Sequence, residues 1–288
     1  MSTRRIGLIA NTTKAGAQRL LAGLCEEFRR FDCALLIDER TAKFVGATST
    51  FSVSDLGREC DLVIVLGGDG TLLQAVRELG SRLPPLFGIN LGSLGFLTSV
   101  SSEAGSKAVE KLVAGNYTLS ERTMLSVEVL RHGEPLFMET ALNDAVVSRG
   151  ELSRLIKIDV LIDGESLSEY NADGLIVATP TGSTAYSLSA GGPVLTPDSG
   201  VFVITPICPH VLTMRPMIVS DESFIEIVQS RDQSDIFLTL DGQNAIRVES
   251  GDQIRVSKAA HRLSLAMLPG LTFFEVMRHK LKWSGTAI

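Results

Sequence analysis

The chain has 288 residues, of which 44% are hydrophobic and 21% are charged, and its formal net charge is −6. This composition excludes a disordered protein and leaves room for one large or two ordinary domains. The acidic balance argues against a general nucleic-acid binder. No apolar run is long enough to span a membrane, and the N-terminus lacks the apolar core of a signal peptide. We therefore expect a cytoplasmic protein that binds neither nucleic acid nor membrane.

The first part of the chain predicts an α/β domain. Apolar runs predict strands at residues 6–11, 34–37, 62–66 and 86–90. Helical spacing of apolar residues predicts a helix after the first strand, another after Thr71, and a third over residues 103–114. Strands that alternate with helices are typical of a Rossmann-like parallel sheet, in which ligands bind at the carboxyl ends of the strands.

The second part of the chain predicts antiparallel strands. Short alternating runs occur at residues 126–130, 156–162, 224–228 and 252–256, and Asp163-Gly164 is a typical hairpin turn. We predict an α/β domain of residues 1–116 and an all-β, sandwich-like domain of residues 117–269. The helical pattern near the C-terminus predicts that residues 270–288 return to the first domain.

The four cysteines (Cys25, Cys33, Cys60 and Cys208) show no Cys-x-x-Cys spacing, and the four histidines are not spaced as metal ligands. We therefore expect reduced thiols and assign no metal-binding residue. The stretch Cys208-Pro209-His210 is interpreted as a structural turn.

A glycine-rich turn, Gly67-Gly68-Asp69-Gly70-Thr71, lies between a predicted strand and a predicted helix. Glycines let backbone N–H groups approach an anion closely, and a helix N-terminus adds partial positive charge. A carboxylate beside a phosphate is repulsive unless a metal ion or a proton transfer requires it, so Asp69 is a candidate functional residue. The alternative is that Asp69 caps the following helix. The turn lacks the lysine of a P-loop and the full glycine spacing of a dinucleotide-binding fingerprint.

Two further stretches are not explained by the needs of a β-sheet. Leu142-Asn143-Asp144 places two short polar residues after an apolar run, for which the alternative is an Asx turn. The loop within residues 171–193 is dense in small hydroxyl residues, which suit a ribose or phosphate surface. Its alternative is a plain surface loop.

Taken together and in this order, these stretches resemble a bacterial NAD kinase. The resemblance rests on Gly67–Thr71, Asn90-Leu91-Gly92-Ser93-Leu94-Gly95-Phe96-Leu97, Leu142-Asn143-Asp144, Asp173-Gly174-Leu175, Thr179-Pro180-Thr181-Gly182-Ser183-Thr184-Ala185-Tyr186 and Asp241-Gly242-Gln243. It extends from Ile6 to Trp283. The stretch beginning at Thr179 is the most specific, because lipid kinases and phosphofructokinases have glycine turns similar to the first.

The resemblance implies transfer of the γ-phosphate of ATP, or of polyphosphate in some members, to the 2′-hydroxyl of the adenosine ribose of NAD, which gives NADP. Mg²⁺ or another divalent cation would accompany ATP. Asp69 is implied as the general base, or as the group that orients the hydroxyl and the metal ion, and Gly67, Gly68 and Gly70 would meet the triphosphate. Members often bind the dinucleotide across a subunit contact, which implies a homodimer or homotetramer.

The resemblance also implies a set of NAD-binding residues. They are Asp69, Gly70, Phe96, Asn143, Asp144, Arg154, Asn171, Asp173, Thr184, Ala185, Tyr186, Ser187, Leu188, Ser189 and Gln243. The family more often has Asn-Glu at the position of Asn143-Asp144. Arg154 would pair with the pyrophosphate, its alternative being a solvated surface arginine. Phe96 would lie near the adenosine, its alternative being core packing.

Two other functions remain open at this point. A lipid kinase has the same glycine turn, but this acidic chain shows no basic amphipathic segment for a membrane surface. A non-catalytic dinucleotide sensor would not need a carboxylate beside a phosphate, so the loss of Asp69 would leave its function intact.

Overall fold

The computed structural model describes residues 3–14, 16–31, 33–92, 95–150, 155–229, 236–270 and 272–283. The chain divides into two compact units, the first formed by Met1–Glu121 and Leu263–Ile288 and the second by Arg122–Arg262. None of the helices in the described ranges combines the length and apolar character that a membrane span requires.

The elements alternate between strands and helices at first and are then almost all strands. The chain begins with β1 (Arg4–Ala10), α1 (Ala17–Phe28), β2 (Cys33–Ile37), α2 (Glu39–Phe44), α3 (Val53–Glu59), β3 (Leu62–Gly67), α4 (Asp69–Leu79), β4 (Leu86–Asn90), β5 (Val100–Ser101), α5 (Gly105–Val113) and β6 (Thr118–Arg122). It continues with β7 (Leu125–Arg131), β8 (Glu134–Ala141), β9 (Asp144–Arg149), β10 (Ile156–Ile162), β11 (Glu165–Ala172), β12 (Gly174–Ala178), α6 (Tyr186–Ser189), β13 (Val201–Ile207), β14 (Met217–Ser220), β15 (Ile225–Gln229), β16 (Ile236–Leu240), β17 (Asn244–Val248) and β18 (Gln253–Lys258). It ends with β19 (Leu263–Met267) and α7 (Phe273–Leu281).

The first unit is built on a mostly parallel sheet. Within the described residues this sheet has the order β2-β1-β3-β4-β19-β6, and β5 pairs with β4. All six residues of β3 are buried, as expected of a continuous apolar strand covered on both faces. The apolar stripe of α1 faces the core, where Leu21, Leu24 and Phe28 are fully or almost fully buried.

The carboxyl ends of β1, β3 and β4 meet at one edge of this sheet. The backbone N–H of Asn11 donates to the carbonyl of Leu66 at 2.8 Å, and the N–H of Leu91 donates to the carbonyl of Gly67 at 3.3 Å. This edge is where a parallel sheet usually binds its ligand. Because β3 lies between β1 and β4, the glycine turn at its end is beside the loops that follow those two strands.

The second unit is an antiparallel sandwich. In the part of the chain that the structure describes, it has two six-stranded sheets, of orders β11-β10-β15-β18-β7-β8 and β14-β13-β12-β9-β16-β17. Alternate residues of both sheets, such as Val127 and Val147, point into a shared apolar core. Asp163 and Gly164, with φ of 53° and 83°, form the predicted hairpin turn between β10 and β11.

The predicted fold class, an α/β domain followed by an all-β domain, is confirmed, and the predicted C-terminal helix is present as α7. The predicted strands lie within two residues of the observed bounds, while the helix expected after Thr71 already begins at Asp69. The domain limits differ by a few residues. The strands β6 and β19 fall inside the predicted all-β range of 117–269, but they join the sheet of the first unit, because β19 pairs with β4.

Candidate active site

The glycine turn joins β3 to α4 in a tight connection. A Cβ atom at Gly67 would overlap the side chain of Thr71, so only glycine allows the start of the helix to pack this closely on the end of the strand. Gly68 is the N-cap of α4, and Asp69 is its first residue. The turn therefore presents a carboxylate at the positive end of an eleven-residue helix.

Asp69 does not cap its own helix. Its Oδ2 accepts a hydrogen bond from the backbone N–H of Phe96 at 2.9 Å, and its Oδ1 accepts one from the N–H of Leu97 at 3.1 Å. A Cβ atom at Gly95 would overlap this carboxylate, so the contact requires glycine there. Two N–H donors fix the carboxylate and still leave lone pairs on both oxygens for a further donor or a metal ion.

The turn that holds Asp69 is itself supported by polar side chains. Thr98 Oγ1 accepts a hydrogen bond from the N–H of Gly95 at 2.9 Å, and the amide of Asn90 donates to the same oxygen at 3.1 Å. Asn90 Oδ1 in turn accepts from the N–H of Gly92 at 2.7 Å. Asn90 and Thr98 are almost fully buried, so the position of the catalytic candidate is fixed by ordered neighbours.

A cavity of about 330 Å³ opens beside the glycine turn, within the first unit. Its walls come from the end of β1, the loop after it, Arg40 of α2 and one stripe of α4. The lining residues are Ile9, Ala10, Asn11, Thr12, Thr13, Arg40, Thr71, Gln74, Ala75 and Glu78. The amide of Asn11 donates to Thr71 Oγ1 at 3.1 Å, while Arg40 pairs with Glu78. The volume of this cavity is at the lower end of the range found for small-ligand sites.

The Leu142-Asn143-Asp144 stretch leads into β9 and is held by one carboxylate. Asp241 Oδ2 accepts a hydrogen bond from the N–H of Leu142 at 2.9 Å. Its Oδ1 accepts from the N–H groups of Asn143 and Asp144 at 2.7 and 3.1 Å. Among the described residues, the side chains of Asn143 and Asp144 make no hydrogen bond, so this stretch is not an Asx turn.

Asp144 is a buried carboxyl group, with only 4% of its surface exposed. Burial, with a smaller contribution from the charge of Asp241, raises the pKa of Asp144 to about 7. The group therefore changes its charge near neutral pH, where an ordinary aspartate is fully ionised.

The hydroxyl-rich loop packs against this same stretch. The N–H of Thr179 donates to the carbonyl of Asn143 at 2.9 Å, and Thr179 Oγ1 donates to the carbonyl of Leu142 at 2.6 Å. A Cβ atom at Gly182 would overlap the carbonyl of Asn143. The loop therefore packs closely against the backbone of Leu142 and Asn143 and is not a plain surface loop.

Several hydroxyl groups of the loop make hydrogen bonds within the protein. Ser183 Oγ donates to the carbonyl of Pro180 at 2.6 Å, and Thr184 Oγ1 donates to that of Thr181 at 3.0 Å. Ser187 is fully buried and shares a hydrogen bond of 2.9 Å with Thr205. The density of hydroxyls in the sequence cannot show which of them are buried.

We expect Gly182→Ala to lower the free energy of unfolding by about 2 kcal/mol, because overpacking of this kind typically costs 1–3 kcal/mol. The added methyl group must displace the backbone of Asn143. Gly23→Ala in α1 is the matched control, since a Cβ atom there meets no neighbour and alanine favours a helix. Urea denaturation of both variants measures the effect, and equal stability of the two would contradict the close packing.

A second cavity, also of about 330 Å³, lies entirely within the second unit. It is lined by Asn143, Asp144, Val146, Ser148, Ala185, Tyr186, Thr239, Asp241 and Gly242. Four of these, Asn143, Asp144, Ala185 and Tyr186, belong to the predicted NAD-binding set. Tyr186 is 47% exposed, so part of this residue is accessible to a ligand. Ser148, Thr239 and Asp241 also line the cavity, and Asp241 stands in the Asp-Gly-Gln stretch whose Gln243 is a predicted NAD-binding residue.

The other predicted residues occupy several places, outside the lining of this cavity. Asp173 Oδ1 lies 2.6 Å from Arg149 Nε, and the carbonyl of Asn171 accepts a hydrogen bond from the N–H of His210 at 2.9 Å. The N–H of Gln243 donates to the carbonyl of Leu240 in the hairpin turn between β16 and β17. Leu188 and Ser189 lie on α6 with Ser187.

Two further residues, Phe96 and Arg154, belong to the predicted set. The ring of Phe96 lies 6.4 Å from that of Phe273 in α7, so the two rings are neighbours within the first unit. Arg154 lies outside the described residues.

Comparison with known proteins identifies the family. A model of the ATP-NAD kinase N-terminal domain matches residues 6–117, and one of the ATP-NAD kinase C-terminal domain matches residues 142–268. An NAD kinase from Solibacter usitatus is 41% identical over 277 residues, which cover 96% of this chain and 96% of that protein. An NAD kinase from Geobacter sulfurreducens is 43% identical over 249 residues, 86% of this chain and 87% of that protein.

Solved structures agree with this assignment. A crystal structure of yeast NADH kinase complexed with NADH matches with a TM-score of 0.92 at 25% identity, over 100% of this chain and 90% of that one. An NAD kinase from Archaeoglobus fulgidus in complex with ATP matches with a TM-score of 0.74 at 26% identity, over 98% of this chain and 100% of that one. The predicted resemblance and the predicted kinase activity are confirmed, and the chain belongs to the NAD kinase family, a family of phosphotransferases.

Proposed function

We propose that this NAD kinase transfers the γ-phosphate of ATP to the 2′-hydroxyl of the adenosine ribose of NAD, and that Asp69 acts on that hydroxyl. The observation that supports this most directly is the fixed carboxylate in the glycine turn. A protein that only binds phosphate has no use for a negative charge at this position. A kinase needs one to accept or orient the proton of its acceptor hydroxyl.

The donor triphosphate would lie against Gly67, Gly68 and Gly70, where backbone N–H groups and the N-terminus of α4 favour an anion. The neighbouring cavity of the first unit would take the nucleoside of ATP, because it adjoins the same turn through Thr71. A polyphosphate donor would use the turn without the cavity.

Asp69 also fits a magnesium site of the kind that kinases use. Mg²⁺ in such sites is held by substrate phosphates and one or two carboxylates, and it neutralises the charge on the phosphates. The described residues contain no group of three or more His, Cys, Asp and Glu that could hold a metal ion by themselves. Asp69 would therefore contribute a single ligand to an ion that arrives with ATP.

The cavity of the second unit would take the adenosine part of NAD. Tyr186 offers a partly exposed ring on which a base can stack, and Asn143 and Asp144 offer an amide and a carboxyl for its polar edge and the ribose. Asn171, Asp173, the run from Thr184 to Ser189 and Gln243 would complete the contacts of the dinucleotide.

We further propose a cytoplasmic homodimer or homotetramer. The free thiols of all four cysteines support a reducing compartment. Exposed apolar side chains on the second unit, Leu212, Met217 and Ile218, support association between copies of the chain.

The test is NADP formation by the purified protein with NAD, ATP and Mg²⁺, beside a sample without ATP. Product in the complete sample alone would support the proposal. No product from a protein that binds NAD in calorimetry would favour the sensor, and no product without NAD binding would favour a lipid kinase.

A further inference from the structure

The backbone N–H groups of Leu142, Asn143 and Asp144 all donate to one side chain from a distant hairpin. Asp241, nearly a hundred residues along the chain, accepts hydrogen bonds from all three N–H groups at 2.7–3.1 Å. Its own N–H donates to the carbonyl of Asp144 at 3.0 Å. Thr179 satisfies the carbonyls of Leu142 and Asn143 from the other side. No polar side chain of the stretch is used to hold its own backbone.

Asp241 has an uncommon backbone conformation for a residue other than glycine. Its φ of 51° lies in the left-handed region, and Gly242 follows with φ of 65°. This backbone turns the carboxylate back from the end of β16 toward the start of β9. Because both oxygens are engaged, the three N–H groups converge on one fixed anion.

We propose that Asp241 is the positioning residue of the second-unit cavity: it fixes the backbone of Leu142–Asp144, so that the side chains of Asn143 and Asp144 are held ready for the dinucleotide. This inference rests on the proposed function of that cavity. It adds a residue that need not touch NAD and acts through the two residues that would. Replacement of the Asp241 carboxylate by an amide should weaken this contact, because the amide would turn an NH₂ group toward a backbone N–H that needs an acceptor.

Asp241 also contributes to the charge of the cavity. Among the described residues that line it, Asp144, Asp241 and Tyr186 are the only titratable ones. The strands paired with the start of β9 present apolar residues there, Ala178 from β12 and Leu240 from β16. The charge of Asp241 contributes to the raised pKa of Asp144, so its removal should shift that pKa downward.

The test is the kinetics of Asp241→Asn. We expect the KM for NAD to rise about tenfold or more, which is the effect of about 1.4 kcal/mol of lost binding, with little change in kcat or in the KM for ATP. The pH at which the KM for NAD changes should also move to a lower value. Asp163→Asn is the matched control, because Asp163 has φ of 53°, precedes a glycine in a hairpin of the same unit and accepts the N–H of Phe224 at 2.8 Å.

An unchanged KM for NAD in Asp241→Asn would overturn the inference, as would an equal rise in the control. If Asp241→Asn does not fold, Asp241→Glu provides the same test with the charge kept: the KM for NAD should rise with no movement of its pH dependence. An unchanged KM would then count against positioning. If the wild-type protein makes no NADP, the proposed function fails on its own, and the variants are compared by calorimetric affinity for NAD.

Discussion

Replacement of Asp69 by asparagine is expected to lower turnover by about a hundredfold or more, the usual contribution of a positioned acid–base group. An amide can neither accept the proton of the ribose hydroxyl nor supply negative charge to a metal ion. It also turns an NH₂ group toward the N–H of Phe96 or Leu97, which the carboxylate now accepts. Affinity for NAD should be largely kept, because most of the proposed NAD contacts lie in the second unit.

The control for Asp69→Asn is Asp61→Asn. Asp61 lies on the surface of the same unit, outside the glycine turn, and its Oδ2 accepts the backbone N–H of Arg5 at 2.8 Å. It therefore tests what the loss of one such hydrogen bond does by itself, and its turnover should match that of the wild type. Steady-state rates of NADP formation measure both variants. Wild-type turnover in Asp69→Asn would remove Asp69 from the mechanism.

Replacement of Asp144 by asparagine is expected to stabilise the protein at high pH. In the folded state the pKa of Asp144 is raised to about 7, from an ordinary value of 3.8. Between these values the folded state binds a proton that the unfolded state has lost, so this group lowers the stability of the wild type as pH rises through the window. The difference between these two pKa values corresponds to about 4 kcal/mol of lost stability once the pH exceeds both of them. The asparagine variant has no such ionisation.

The difference in the free energy of unfolding between Asp144→Asn and wild type should therefore increase between about pH 4 and about pH 7 and stay constant above. Urea denaturation across this range measures it. Asp163→Asn, which removes an exposed turn carboxylate from the same unit, should show no such increase. A difference independent of pH in Asp144→Asn would mean that Asp144 is ionised throughout.

Local pattern was sufficient for most of the regular elements. The strand β3 is a continuous apolar run ended by glycines, so its position follows from the sequence almost to the residue. Two short helices, α2 and α3, were missed because they are too short to show a clear apolar period. Their N-caps were the available signal: Asp38 accepts the N–H groups of Arg40 and Thr41, and Ser52 forms a capping box with Asp55.

The candidate site was only partly predictable for a related reason. The stretches containing Asp69, Asn143 and Tyr186 are recognisable from short motifs. The contact of Asp241 with Leu142–Asp144 joins residues nearly a hundred positions apart, and no local pattern reports it. The same limit applies to Ser183 and Ser187, since only the packing shows that these two residues of the loop are buried.

The strand β19 gives the chain an unusual order of assembly. It lies between β4 and β6 in the sheet of the first unit, yet it follows the whole of the second unit in sequence. During synthesis on the ribosome, β6 therefore emerges without the neighbour that links it to β4. The sandwich can form first, as an inserted unit, while the sheet of the first unit stays open beyond β4 until the last strand is made. A chain released early would keep Asp69 but leave the sheet around it open along one side.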